Sequence, residues 1–277
     1  MASTHNTFTT GRARLRVRNP AGEVNVETRE GDETTVELVA LNDSDQTREA
    51  IEKANVSANG DEVLVEIEGG RGWTISIGNW GMGSAKVGVR ITCPNGSELT
   101  CDTASADVRA DGTLGTSRLR TASGDLRLPR IEGSLEVKTA SGDVQVDHVE
   151  GRAVLHTVSG DVQARTAMSG LAVNSVSGDV VVGDVLGDLD IGTVSGDAVV
   201  RAAGPGEVAL KAVSGDVKVA IRRGLRVRLD VNSVSGKIGS ELDVSDAPAR
   251  TNGPEVSLRV RTVSGDVRIS RAAEAVA

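Results

Sequence analysis

Along residues 123–203 the apolar and polar positions repeat in a rhythm that resets every nine residues. The stretch divides into SGDLRLPRI, EGSLEVKTA, SGDVQVDHV, EGRAVLHTV, SGDVQARTA, MSGLAVNSV, SGDVVVGDV, LGDLDIGTV and SGDAVVRAA. With each unit numbered 1 to 9, positions 4, 6 and 9 are Ala, Val, Leu or Ile in every copy. Positions 4 and 6 flank a polar or variable position 5, the period-two signature of a strand with one buried face. Position 9 reads as a return to the core after two mostly polar residues, which places Val158 inside. Position 2 is glycine in every unit but the sixth, where Ser169 stands there and Gly170 follows. A glycine recurring at a fixed turn predicts a backbone corner with positive φ.

Alternate units differ, so the full repeat is eighteen residues. A Ser-Gly-Asp corner starts at Ser123, Ser141, Ser159, Ser177 and Ser195, preceded by Ser-Ala-Asp at Ser105. Further copies start at Ser214, Ser235 and Ser264, after spacings of 19, 21 and 29 residues. Short periodic units cannot bury an apolar face alone and must stack on copies of themselves. The pattern therefore predicts an all-β chain: a parallel β-solenoid of 18-residue coils, each with two short strands and two corners. Leucine-rich and propeller repeats need longer units, and the valines are too strand-prone for a helical repeat.

Outside the repeat the rhythm changes. Residues 12–18, 23–28 and 34–41 read as strands separated by the turns Asn19-Pro20-Ala21-Gly22 and Glu30-Gly31-Asp32. Residues 43–54 read as a short helix, with Asp43 and Gln46 in capping-box spacing, and residues 62–68 as another strand. The expected organisation is a strand-rich cap with one helix over residues 1–92, the solenoid over 93–272 and a tail over 273–277. Residues 1–11 are polar, and His5 falls in an expected frayed end.

Composition narrows the functional classes. The chain has Phe8, Trp73 and Trp80 as its only aromatics, as a narrow aliphatic core requires. That scarcity weighs against sugar or single-strand nucleic-acid binding, which use aromatic platforms. A formal charge of −8 favours solubility and weighs against nucleic acid or an anionic membrane as partner. No apolar run is long enough to insert in a membrane, and the N-terminal residues lack the plan of a signal peptide, so a cytoplasmic location is expected. Cys93 and Cys101 fall at inward positions and read as small buried thiols.

Candidate chemistry is sparse, and no catalytic residue, cofactor or metal site is expected. Stacking aligns Asp107, Asp125, Asp143, Asp161, Asp179, Asp197, Asp216 and Asp266, with Lys237 replacing one member. Like charges about 4.8 Å apart repel by roughly 0.9 kcal/mol in water, so the column needs solvent, corner amides or cations; corner capping by exposed carboxylates is expected, with calcium binding as the alternative. A second column, including Thr121, Thr139, Thr157, Ser175 and Thr193, reads as an outward hydroxyl ladder. His5, His148 and His156 are scattered, and neither cysteine stands at a suggestive spacing from one. Trp73 and Trp80, in the glycine-rich stretch 69–83, are candidate partner-binding residues because aromatics anchor interfaces. The last coil in sequence, with Thr262, Val263, Val267 and Ile269, is the expected exposed edge and the candidate homotypic contact of a dimer.

The Thr-Val-Ser-Gly-Asp-Val repeat, entered through Pro94, Gly96 and Leu99, resembles the bacterial putative-adhesin family of β-strand-repeat proteins. The likeness spans roughly residues 12–269. It implies a right-handed β-helix and an adhesin-type role, with no catalytic residue to carry over. The expected function is a non-enzymatic scaffold or interaction protein presenting repetitive polar faces to a protein partner. Two alternatives stay open: a self-assembling filament element, and a carbohydrate-active β-helix enzyme, which a carboxylate cluster in a groove would support.

Overall fold

A computed structural model describes residues 3–68, 85–242 and 253–273. The chain divides into two compact units, Met1–Gly142 and Asp143–Ala277. The boundary expected near residue 93 falls inside the first of these. Parallel coils of short strands build both units, the architecture of a β-solenoid.

The first unit contains β1 (Ser3–Thr9), β2 (Arg14–Asn19), β3 (Gly22–Arg29), β4 (Glu33–Ala40), α1 (Asp45–Glu52), β5 (Asn55–Asn59) and β6 (Glu62–Glu66). After these come β7 (Val87–Pro94), β8 (Ser97–Thr103), β9 (Asp107–Asp111), β10 (Thr113–Thr121), β11 (Leu126–Ile131) and β12 (Leu135–Thr139). The coil β2–β3 comes first in sequence but is flanked on both sides. Leu15 stands opposite Val63 of β6 and Leu99 of β8, and Val24 opposite Val89 of β7 and Val108 of β9, all in parallel register. The coil β6–β7 is in turn covered by antiparallel strands, β5 on β6 and β4 on β7.

Two expectations change here. Residues 3–9, expected to fray, form β1, antiparallel to β4 along its whole length with His5 opposite Glu37. Their polar sequence hid the strand because backbone pairing, rather than a buried face, holds it. The helix starts two residues later than expected. Ser44 is its N-cap, with its hydroxyl accepting from the Thr47 N–H at 3.1 Å, and the helix buries Thr47, Ala50 and Ile51.

The second unit is the regular repeat. Its strands are β13 (Val144–Val149), β14 (Ala153–Ser159), β15 (Val162–Ala167), β16 (Leu171–Ser177), β17 (Val180–Val185), β18 (Leu189–Ser195) and β19 (Ala198–Ala203). It continues through β20 (Gly206–Ser214), β21 (Val217–Ile221), β22 (Arg226–Ser235), β23 (Ile238–Ser240), β24 (Glu255–Ser264) and β25 (Val267–Arg271). Even-numbered strands stack on one another and odd-numbered strands likewise, so Leu155 sits over Val173 and Val173 over Ile191. Positions 4 and 6 of the repeat point inward as expected, Val162, Ala164, Val180 and Val182 among them.

Chain order and stacking order part at the end of this unit. β24 pairs with β20 on one side and β22 on the other, and β25 pairs with both β21 and β23. The last coil in sequence is thus slotted between its two predecessors. The 29-residue spacing between Ser235 and Ser264 falls at this change of order, and residues 243–252 within it lie outside the described residues.

Candidate functional site

The Thr-Val-Ser-Gly-Asp corner is where the repeat meets solvent, and three of its columns settle differently from one another. Position 9 is buried only in the Ser-Gly-Asp units, at Ile131, Val149, Ala167, Val185 and Ala203. In the alternate units the residue before it turns inward instead. Thr139, Thr157, Ser175 and Thr193 are buried, while Val158 is 54% exposed and Val176 and Val194 are about half exposed. The inward assignment of Val158 and the outward hydroxyl ladder are therefore both corrected. Each strand carries its alternation one residue further than the apolar pattern suggests, because hydroxyls of about the right size can occupy the core edge.

The buried hydroxyls have work in the first unit. Thr121 Oγ1 accepts from the Gly124 N–H and Thr139 Oγ1 from the Gly142 N–H, both at 2.9 Å. In the second unit the glycine N–H turns to the neighbouring coil instead, Gly178 donating to the Ser195 carbonyl and Gly196 to the Ser214 carbonyl. Those glycines have φ of +130° and +133°, whereas Gly124 and Gly142 stay out of the left-handed region. Positive φ therefore explains the later corners, and close contact between coils explains the earlier ones. The change of corner leaves Thr157 Oγ1, Ser175 Oγ and Thr193 Oγ1 with no hydrogen-bond partner among the described residues.

The aspartate column resolves as corner capping. Asp161 donates its N–H to Asp143 Oδ1 at 2.9 Å, and the same bond recurs from Asp179 to Asp161, Asp197 to Asp179, Asp216 to Asp197 and Asp266 to Asp216. The row closes where the Lys237 N–H donates to Asp266 Oδ1. Lys237 interrupts the column because its coil is outermost, where no further coil among the described residues needs an acceptor. Asp179→Ala is expected to cost about 1 kcal/mol by leaving the Asp197 N–H unpaired. Asp179→Asn keeps an acceptor and removes a repulsive charge, so it should melt at or slightly above wild type. Chelator should leave both melting curves unchanged, and a marked drop would indicate a bound cation instead.

The valines form the other product of this corner. In stacking order, Val158, Val176, Val194, Val213, Val263 and Val234 make one exposed aliphatic row beside exposed serines. The corresponding residues of the first unit, Ala122 and Ala140, offer only methyl groups.

Elsewhere in the first unit a groove of about 410 Å³ is lined by His5, Glu27, Glu37, Arg90 and Asp111, with Asn25, Thr35 and Thr92. Two of its three carboxylates are ion-paired, Glu37 with Arg90 at 3.6 Å and Glu27 with Arg29 at 2.9 Å. Sequence reading missed this groove because its residues come from five strands with no local motif. Cys93 and Cys101 are free and buried, and burial pushes their thiols up to about 11 and about 12.

Of the site residues expected from sequence, Trp73 and Trp80 lie outside the described residues. Thr262, Val267 and Ile269 are buried and Val263 is exposed. Their strands are paired on both sides, so among the described residues the free edge expected of them belongs to β22 and β23. Among the described residues no helix is long and apolar enough to cross a membrane.

Comparison with known structures finds putative adhesins from Parabacteroides distasonis and Bacteroides fragilis. Each is 12% identical, with TM-scores of 0.42 and 0.45 and coverage of 96% of this chain and 97% of theirs. A putative lipid binding protein from Parabacteroides distasonis is 11% identical with a TM-score of 0.41, covering 98% of this chain and 97% of that one. No curated protein matches the chain. The model of the Toastrack family, a domain of unknown function designated DUF4097, matches residues 13–270. With nearly its whole length matched, the chain belongs to the Toastrack family.

Proposed function

We propose that the protein is a non-enzymatic scaffold whose second unit binds a protein partner along the valine row. The observation that carries this reading is the row itself: six half-exposed or more exposed valines in one line, from Val158 to Val234. Single exposed apolar residues are ordinary, whereas a contiguous apolar strip rimmed by polar residues marks a contact surface. The serine and aspartate columns run beside it, with Asp161 and Asp179 exposed. The surface therefore suits a partner with an aliphatic strip flanked by Lys or Arg, consistent with a net charge of −8. The repeated faces expected to be polar are thus apolar along their crest.

The test is co-purification from the native cell with wild type and with the triple variant Val176→Ser, Val194→Ser and Val213→Ser. These positions are exposed, so the variant should keep the wild-type circular dichroism spectrum and melting temperature. A partner retained by wild type should be lost by the variant. Capture of the same proteins by both would end the proposal.

A further inference from the structure

We infer that the coil β22–β23 is a homotypic edge that pairs antiparallel with the same edge of a second copy, with Leu229 on the twofold axis. Among the described residues β22 pairs only with β24, and β23 only with β25. The Arg226 N–H donates to the Pro254 carbonyl, on the β24 side. Backbone groups alternate sides along a strand, so the N–H and C=O groups of Val227, Leu229 and Val231 face away from β24, towards the open edge. Such a row is a template for another strand.

The side chains point the same way. Val256, Leu258 and Val260 are buried, yet their register partners Val227, Leu229 and Val231 are only half-buried, and Ile238 is 50% exposed. The core stops at this coil without a covering layer among the described residues. Lys237 marks the same end, since its coil no longer supplies the carboxylate that each preceding coil offers its neighbour.

Charge selects both the occupant and the register. Antiparallel pairing about Leu229 sets Leu229 against Leu229, Val227 against Val231, and Arg228 against Asp230, so both cross-strand charge pairs are attractive. Moving the axis by one residue sets Asp230 against Asp230 or Arg228 against Arg228. A register that mixes odd with even positions would put apolar residues outside and misalign the free amides. Arg228 has no ion-pair partner among the described residues, and Asp230 lies 3.6 Å from Arg259. A segment that is self-complementary under a twofold fits a second copy of this chain and closes as a dimer. Growth into a filament would need a matching parallel edge, and in the first unit the coil β6–β7 is already covered by antiparallel strands.

Sedimentation across a concentration series tests the contact. Wild type should form a dimer. Arg228→Asp and Asp230→Arg, each setting like charges face to face, should weaken it at least tenfold. The double variant carrying both should restore it. A wild type monomeric at all concentrations, single variants that dimerise as well as wild type, a double variant that stays monomeric, or unlimited fibres would each overturn the inference. Amide exchange needs no variant. Exchange at Val227, Leu229 and Val231 should slow as wild-type concentration rises, and rapid exchange at every concentration would also overturn it. The valine-row variant leaves this edge intact, so the two proposals fail independently.

Discussion

Asp in place of Val158 should leave the protein folded, with stability within about 0.5 kcal/mol of wild type, whereas Asp in place of Val173 should unfold the second unit. Both residues are valines in the same periodic stretch, one coil apart. Val158 is 54% exposed, and a carboxylate there stays in water next to exposed Ser159. Val173 is fully buried between Leu155 and Ile191. A carboxylate held there without a partner would lose its hydration, a cost above about 4 kcal/mol that the stacked strands cannot relieve by moving aside. Thermal melts followed by circular dichroism decide the matter. Equal melting temperatures for the two variants, or loss of structure with Asp at 158, would show that the corner has been read the wrong way round.

The second large effect belongs to a corner glycine. Gly196→Ala should destabilise the second unit by at least about 2 kcal/mol. Its φ of +133° is one that L side chains rarely adopt, and an added Cβ would stand 2.3 Å from the Gly178 carbonyl oxygen in the coil beside it. The contact is with backbone that is itself held in the stack, so neither side can yield. Gly192, in the middle of β18, supplies the control. A Cβ there meets only the side-chain oxygen of Asn174, at 3.2 Å, and its φ is unstrained. Gly192→Ala should therefore cost less than about 1 kcal/mol, the amide of Asn174 turning aside. Similar losses at the two sites would show that neither the positive φ nor the contact with the Gly178 carbonyl requires glycine at this corner.

Much of the architecture could be read from residues alone. The alternation at positions 4 and 6, the glycine at position 2 and the eighteen-residue spacing of Ser-Gly-Asp are local consequences of strand pleat and tight corners, so a periodic sequence displays them directly. Capping by the aspartates followed from the same spacing, since a carboxylate repeated once per coil lies within reach of the next coil's amide. Lys237 also carried information: the one position that abandons the acceptor lies in the coil where the column stops.

The rest depended on contacts far apart in sequence. Whether Thr157 or Val158 turns inward is decided by how the corner meets its neighbours, because either residue can fill the core edge and hydropathy alone favours the valine. β1 forms from the polar residues 3–9 because β4 offers it an open edge, which no feature of those residues announces. Coil order was hidden for a similar reason. Every coil presents nearly the same apolar face and the same backbone groups, so β24–β25 satisfies the pattern equally well at the end of the stack or one place in from it. Only the tertiary structure places β24–β25 between its predecessors and, among the described residues, leaves β22–β23 with the open edge. Local chemistry thus determined what each coil is, and long-range strand pairing decided where each coil sits and which strands keep an open edge among the described residues.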